Sequence, residues 1–144
     1  MSLARVAFTW ALVSLAGCSL PEQTLVAYDG PRRPPAAVAR IDEGIEVDTL
    51  DVGDSGSADI LELDGQSVSV PFTLELLPGE HELLIAVEWN SPADGRVVAL
   101  ARLRVTLEAG QHCVARAIRK STQRLFAQVE DVADGRVLVW APAE

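Results

Sequence analysis

The stretch Val68-Ser69-Val70-Pro71-Phe72-Thr73-Leu74-Glu75-Leu76-Leu77-Pro78-Gly79-Glu80-His81-Glu82-Leu83-Leu84-Ile85-Ala86-Val87-Glu88-Trp89 decides the fold class. In its first half Val68, Val70, Phe72, Leu74 and Leu76 alternate with the polar Ser69, Thr73 and Glu75, the period-two pattern of a strand with one buried face. Pro71 falls on the outward set and can donate no ladder hydrogen bond, which predicts an edge position. In the second half Leu83, Ile85, Val87 and Trp89 share one face, and Glu82 and Glu88 the other. Between them, Leu77-Pro78-Gly79-Glu80 predicts a type II turn, because Pro fixes the first turn angle and Gly accepts the positive φ of the second. A hairpin across this turn would set Leu74 opposite Leu83 and Phe72 opposite Ile85. A type II turn splays the strands of a tight hairpin, so a crossover between two sheets satisfies the same pattern.

Working outward, the same alternation recurs on both sides. Val38, Ile41, Ile45 and Val47 form short runs interrupted at Glu43-Gly44, with Glu46 and Asp48 outward. Residues 53–57, all Gly, Asp and Ser, read as a loop. Residues 60–64 read as a strand ended by Asp64-Gly65, a favoured hairpin dipeptide. After a turn-rich segment over 89–95, Ala101, Leu103, Val105 and Leu107 alternate with Arg102, Arg104, Thr106 and Glu108. Ala109-Gly110-Gln111 then turns the chain into residues 113–120, where periodicity does not choose between Val114/Ile118 and Cys113/Ala115/Ala117 as the inward set. Residues 125–129 and 136–140 close the domain through a hairpin at Asp134-Gly135. Ala133-Asp134-Gly135-Arg136-Val137 repeats Ala93-Asp94-Gly95-Arg96-Val97; two copies make no repeat architecture, and shared turn chemistry accounts for them. About eight short strands with frequent turn signals predict an all-β fold, a small antiparallel sandwich or partly open barrel.

The first part of the chain reads differently. Arg5 followed by the apolar run 6–16 has the form of an export signal, too short to span a bilayer, which takes roughly 20 apolar residues. Leu15-Ala16-Gly17-Cys18 resembles the lipobox of bacterial lipoproteins, which implies cleavage between Gly17 and Cys18 and acylation of Cys18 as the new first residue. Several acyl chains on one Cys hold a protein to a membrane, whereas one binds only marginally. Ser19, where an inner-membrane retention signal would place Asp, resembles the outer-membrane sorting choice. The expected organisation is a lipoprotein signal peptide over 1–17, a lipidated Cys and flexible tether over 18–35 carrying Pro21, Pro31, Pro34 and Pro35, and a β-sandwich domain over 36–144.

Charge narrows the partners. The chain carries −9 formally, and −10 without the leader and its Arg5. Residues 41–95 hold 14 acids and no Lys or Arg, while residues 96–144 hold 8 bases against 5 acids. An acidic domain argues against nucleic acid, which demands a basic face, and against adhesion to anionic headgroups by charge. The split permits self-association of an acidic surface with a basic one; two differently charged solvated faces are the simpler expectation. With Cys18 lipidated, Cys113 has no disulfide partner and is expected to be a small buried hydrophobe.

Tyr28-Asp29-Gly30-Pro31-Arg32-Arg33-Pro34, Val38-Ala39-Arg40-Ile41, Asp64-Gly65, Leu77-Pro78-Gly79-Glu80-His81 and Gly110-Gln111-His112 together resemble a widespread family of small Gram-negative outer-membrane lipoproteins, and more widely the PEGA-like β-sandwich domains of cell envelopes. Cys113 departs from the pattern, standing where such chains carry an aromatic after the Gly. The resemblance covers nearly all of the chain after Cys18, and implies an envelope-facing β-domain with no enzyme activity.

Residue patterns that could carry chemistry are few. Gly53-Asp54-Ser55-Gly56 resembles a serine-protease nucleophile motif, but His81 and His112 both follow Ser55, the reverse of that family's order. His81-Glu82 has Ile85 where a zincin helix needs its second His. His81, His112 and Cys113 could converge on zinc or copper. Asp48, Asp51, Asp54 and Asp59 could offer oxygens to calcium, without EF-hand spacing. The expectation is a non-enzymatic lipoprotein without cofactor, anchored in the outer membrane, facing the periplasm, and binding a protein or envelope polymer; the alternative is a metal-binding lipoprotein using those residues.

Overall fold

A computed structural model describes residues 24–47, 54–68, 73–121 and 124–144. Among these the fold is all-β, as the alternation predicts. The strands are β1 (Thr24–Val26), β2 (Ala39–Val47), β3 (Ser55–Leu63), β4 (Gln66–Ser67), β5 (Thr73–Leu76), β6 (Gly79–Ser91), β7 (Gly95–Leu107), β8 (His112–Ser121), β9 (Arg124–Asp131) and β10 (Val137–Pro142), with one 3-10 turn at Pro35–Ala37. They join in a sheet ordered β10-β9-β8-β2-β3-β6-β7, to which β5 adds on β2, β1 on β5 and β4 on β3. The sheet curls until its edges meet: the Leu100 N–H donates to the Glu144 carbonyl and the Glu144 N–H to that of Leu100, both at 2.9 Å. The result is a near-barrel. Its pairing is mixed rather than purely antiparallel, since β2 runs parallel to β8 and β1 parallel to β5.

The Pro78-Gly79 turn is a crossover. β5 pairs with β1 and β2, whereas β6 pairs with β3 and β7, so Leu74 lies beside Ile41 and Leu83 beside Leu63 and Leu103. Gly79 has φ +139°, and the splay of this turn sends the two strands to different walls. β6 keeps the predicted polarity, with Leu83, Ile85, Val87 and Trp89 all in the core. β5 does not, because all four of its residues are buried and β1 covers what the pattern marks as an edge. Pro71 and Phe72 lie outside the described residues.

β2 is the strand shared by both walls. Its first half pairs with β5 and β8, its second half with β3, and the change falls at Glu43-Gly44. A Cβ on Gly44 would stand 2.3 Å from the Ala115 carbonyl oxygen, so only glycine lets the backbones approach this closely. The bend reverses which residues face inward: Ala39 and Ile41 are core, then Gly44 is buried and Ile45, expected inside, is 76% exposed. The loop expected over 53–57 begins strand β3 by Ser55. A Cβ on Gly56 would sit 2.5 Å from Trp89 Cε3, so the bare glycine provides the floor on which that indole lies. On β8 the small set wins: Cys113, Ala115 and Ala117 face in, and Val114 and Ile118 face out, half-buried.

Three predicted turns hold. Asp64 and Gly65 both have positive φ, +50° and +77°, the geometry of a tight β3–β4 hairpin. The repeated Ala-Asp-Gly-Arg-Val segments both close hairpins: the Ala93 N–H donates to Ser91 Oγ, and the Ala133 N–H to Asp131 Oδ1. The charge asymmetry is absorbed within one wall. Arg96 of β7 meets Glu88 of β6 at 2.6 Å, Arg102 meets Glu82 at 2.9 Å and Glu62 at 3.7 Å, and Arg104 meets Glu82 at 3.5 Å. The acidic and basic stretches are thus neighbouring strands rather than two separate faces.

The expected flexible tether over 18–35 is, over its described residues 24–35, a strap against the body. Glu75 is the reason. Its carboxylate, 1% exposed, accepts from the Tyr28 hydroxyl at 2.7 Å, from Arg32 Nη2 at 3.1 Å and from Arg40 at 3.4 Å. Hydrogen bonds from Arg32, then from Tyr28, hold Glu75 below the usual carboxylate range. The Tyr28 oxygen in turn accepts the Arg33 N–H at 3.0 Å, folding the Pro-rich turn over the carboxylate.

Candidate functional site

The residues singled out for chemistry are kept apart. His81, on β6, faces Asp64 Oδ2 through Nδ1 and the Leu77 carbonyl through Nε2, both at 2.8 Å, and so ties the crossover to the β3–β4 turn. Asp64 is held below its usual range: burial pushes it up, but the Glu82 N–H and His81 outweigh that. His112 begins β8 in the other wall and meets Asp42 Oδ2 at 2.6 Å, while Thr73 donates to Asp42 Oδ1 at 2.7 Å. Cys113, the next residue, points into the core, and burial pushes its thiol up to about 12. These three do not converge. Among the described residues no group of three or more His, Cys, Asp or Glu is placed to hold a metal ion.

Of the four candidate aspartates, Asp54 and Asp59 are described. Asp48 and Asp51 lie outside the described residues, as do Gly17 and Cys18. Asp54 is already bound: Arg119 Nη1 meets it at 2.8 Å and the Trp89 indole N–H donates to it at 3.2 Å, while the other arm of Arg119 holds Asp94. Ser91 first, then Trp89, holds Asp54 below its usual range. Asp59 faces outward from mid-β3, pushed up by burial and by Glu88. Ser55, between Asp54 and the glycine under Trp89, pairs with Asn90 in the ladder, and both histidines have the partners given above.

One surface is built differently. On the outer side of β8, β9 and β10, Ile118 lies opposite Phe126 and Gln128 opposite Trp140. Phe126 and Trp140 meet edge to face, ring centres 5.5 Å apart. Lys120 Nζ stands 5.0 Å from the Phe126 ring centre and 5.5 Å from that of Trp140, capping both with positive charge. With Val137 they border a shallow hollow of about 290 Å³. Trp140 is 57% exposed, so the shelf leaves a large aromatic in contact with water. No single stretch of the sequence marks this surface, since the shelf assembles from three strands.

Compared with known proteins, the chain matches no family model, no curated protein and no solved structure.

Proposed function

We propose that this chain is a non-enzymatic lipoprotein of a Gram-negative outer membrane, held by acylated Cys18 and facing the periplasm, and that the Ile118/Phe126/Trp140/Lys120 shelf binds a protein partner. The lipobox-like Leu15-Ala16-Gly17-Cys18 and the resemblance to small envelope lipoproteins support the location. The observation that carries the binding role is Trp140, exposed, with Phe126 edge to face against its ring and Lys120 beside it. A pre-ordered aromatic with an adjacent cation loses little side-chain entropy on contact, which is why Trp dominates the energetic centres of protein interfaces.

The test has two arms. Mass analysis of the mature protein reads the anchor: an acylated Cys18 terminus is expected, and a bare terminus in the soluble periplasmic fraction overturns the location. A photo-crosslinking amino acid at Gln128, beside Trp140, reads the partner in intact envelopes. A discrete protein adduct is expected, lost in W140A, whose affinity should fall by about 30-fold or more. An adduct with envelope polysaccharide, or a protein adduct indifferent to W140A, overturns the protein-partner role of the shelf.

A further inference from the structure

Both ring nitrogens of His81 face oxygen acceptors. Nδ1 stands 2.8 Å from Asp64 Oδ2 and Nε2 stands 2.8 Å from the Leu77 carbonyl oxygen. A backbone carbonyl has no proton to give. Asp64, held below the usual carboxylate range, has none either at neutral pH. A neutral imidazole carries a single N–H, so it would turn a bare lone pair toward one of these two oxygens at hydrogen-bond distance. The two contacts are therefore made together only by the imidazolium, with one proton on each nitrogen. The His81 side chain is 14% exposed, so water does little to replace a contact that is lost.

The two contacts join different parts of the fold. Leu77 opens the crossover that carries the chain from β5 to β6, and Asp64 forms the β3–β4 turn. Asp64 also borders a hollow of about 530 Å³ that residues 25–29 of the strap help to line. The turn has a second hold on β6, since the Glu82 N–H donates to Asp64 Oδ1 and the Asp64 N–H to the Glu82 carbonyl, both at 2.8 Å. The surrounding charges are otherwise engaged or turned away. On β6, Glu80 is exposed and Glu82 meets Arg102 and Arg104 of β7; on β3, Glu62 also meets Arg102. Opposite His81 on β7 stands Val105. In the strap, Asp29 is exposed and Tyr28 donates to Glu75. Asp64 is thus the charged group in direct contact with the ring.

We infer that His81 is a proton-operated clasp: doubly protonated, it ties the β5–β6 crossover to the β3–β4 turn, and on losing one proton it lets the crossover go. A carboxylate is the stronger acceptor of the two, so the remaining proton stays on Nδ1 against Asp64 and the bond to Leu77 is the one released. Imidazole is the side chain whose charge ordinarily changes between about pH 5 and 8. The corner of the barrel beside the hollow is closed in mild acid and loosens as pH rises.

The test follows the imidazole nitrogens and the backbone amides of the ¹⁵N-labelled protein by NMR between about pH 5 and 8. At the acid end both His81 nitrogens should carry protons; above the step Nδ1 alone should, and the Gly79 and Glu80 amides, corrected for their intrinsic rates, should exchange several-fold faster. Glu43, pushed up to about 7, and the second imidazole, His112, are removed as sources of the step by repeating the titration in E43Q/H112Q, where it should persist. H81Q has no proton to lose in this range and should show a flat profile. A bare His81 nitrogen at the acid end overturns the clasp, as does amide exchange that ignores the His81 step, a step that vanishes in E43Q/H112Q, or one that survives in H81Q. Loss of the Nδ1 proton in place of the Nε2 proton overturns the release of Leu77. The parent protein's own titration decides the matter should H81Q fail to fold.

Discussion

Gly56→Ala adds one carbon beneath Trp89, and the structure sets its cost. That carbon would stand 2.5 Å from Trp89 Cε3, 2.6 Å from Cζ3 and 3.2 Å from the Ala117 Cβ. Carbon atoms pack at about 3.5–4.0 Å, so ring and strand must separate by about 1 Å. The ring cannot tilt freely, since its N–H is held by Asp54 at 3.2 Å and Arg119 lies over it at 5.9 Å. Replacing glycine in a strand ordinarily gains about 0.5–1 kcal/mol, because alanine has less freedom to lose. Overpacking a core costs about 1–3 kcal/mol, so the clash wins and net destabilisation of about 1–2 kcal/mol is expected. For a domain of this size that lowers the melting temperature by roughly 3–12 °C. Urea unfolding of G56A, W89L and the double variant measures it: W89L removes the opposing ring atoms, so in its background G56A should cost nothing or stabilise. A G56A penalty that survives unchanged in W89L refutes the account, as does a G56A chain as stable as the parent.

Other outcomes follow from the same geometry. Burial, partly opposed by the Ile60 N–H and reinforced by Asp59, pushes Glu43 up to about 7, so the folded state holds that proton more tightly than the unfolded chain does. Stability contributed there is complete below about pH 4.5 and declines as pH rises toward 7; Glu43→Gln should therefore raise the urea midpoint at pH 8 relative to the parent and leave it little changed at pH 4.5. Glu75 shifts the other way, so its contribution is present at neutral pH and lost as acid protonates it. Glu75→Gln should hasten tryptic cleavage after Arg32 several-fold, and unchanged cleavage would show that the strap is held by something else. Cys113 in a Cys18→Ser chain should react with a thiol reagent only on unfolding; labelling of the native protein within minutes would contradict its burial.

How far the sequence could be read depended on the reach of each interaction. Alternation gave β6 and β7 correctly, because each side chain there answers to one buried face. It failed at Glu75, whose burial is made by Tyr28 and Arg32, 47 and 43 positions away. It failed at Ile45 because β2 changes neighbours at Gly44, and nothing within the strand marks the reversal of its faces. Gly56 was legible as punctuation but not as a seat for Trp89, since the ring comes from a distant strand. Cys18 is singled out only by its lipobox-like neighbours and lies outside the described residues, whereas the aromatic shelf needed the pairings Ile118–Phe126 and Gln128–Trp140 before it existed as a surface.

The strand shared by the two walls also bears on how the molecule is made. β2 finds its parallel neighbour only when Arg40 reaches His112 and Glu43 reaches Ala115, 72 positions downstream. Closing so long a loop before any contact rewards it is slow, and a chain delivered N-terminus first must keep β2 through β7 waiting with one side of β2 unpaired. During that interval the waiting strands are a template for the wrong neighbour. Assembly of this domain should thus be limited by the arrival of β8, and a handler that shields β2 in transit would be worth more to its yield than any gain in the stability of the finished barrel.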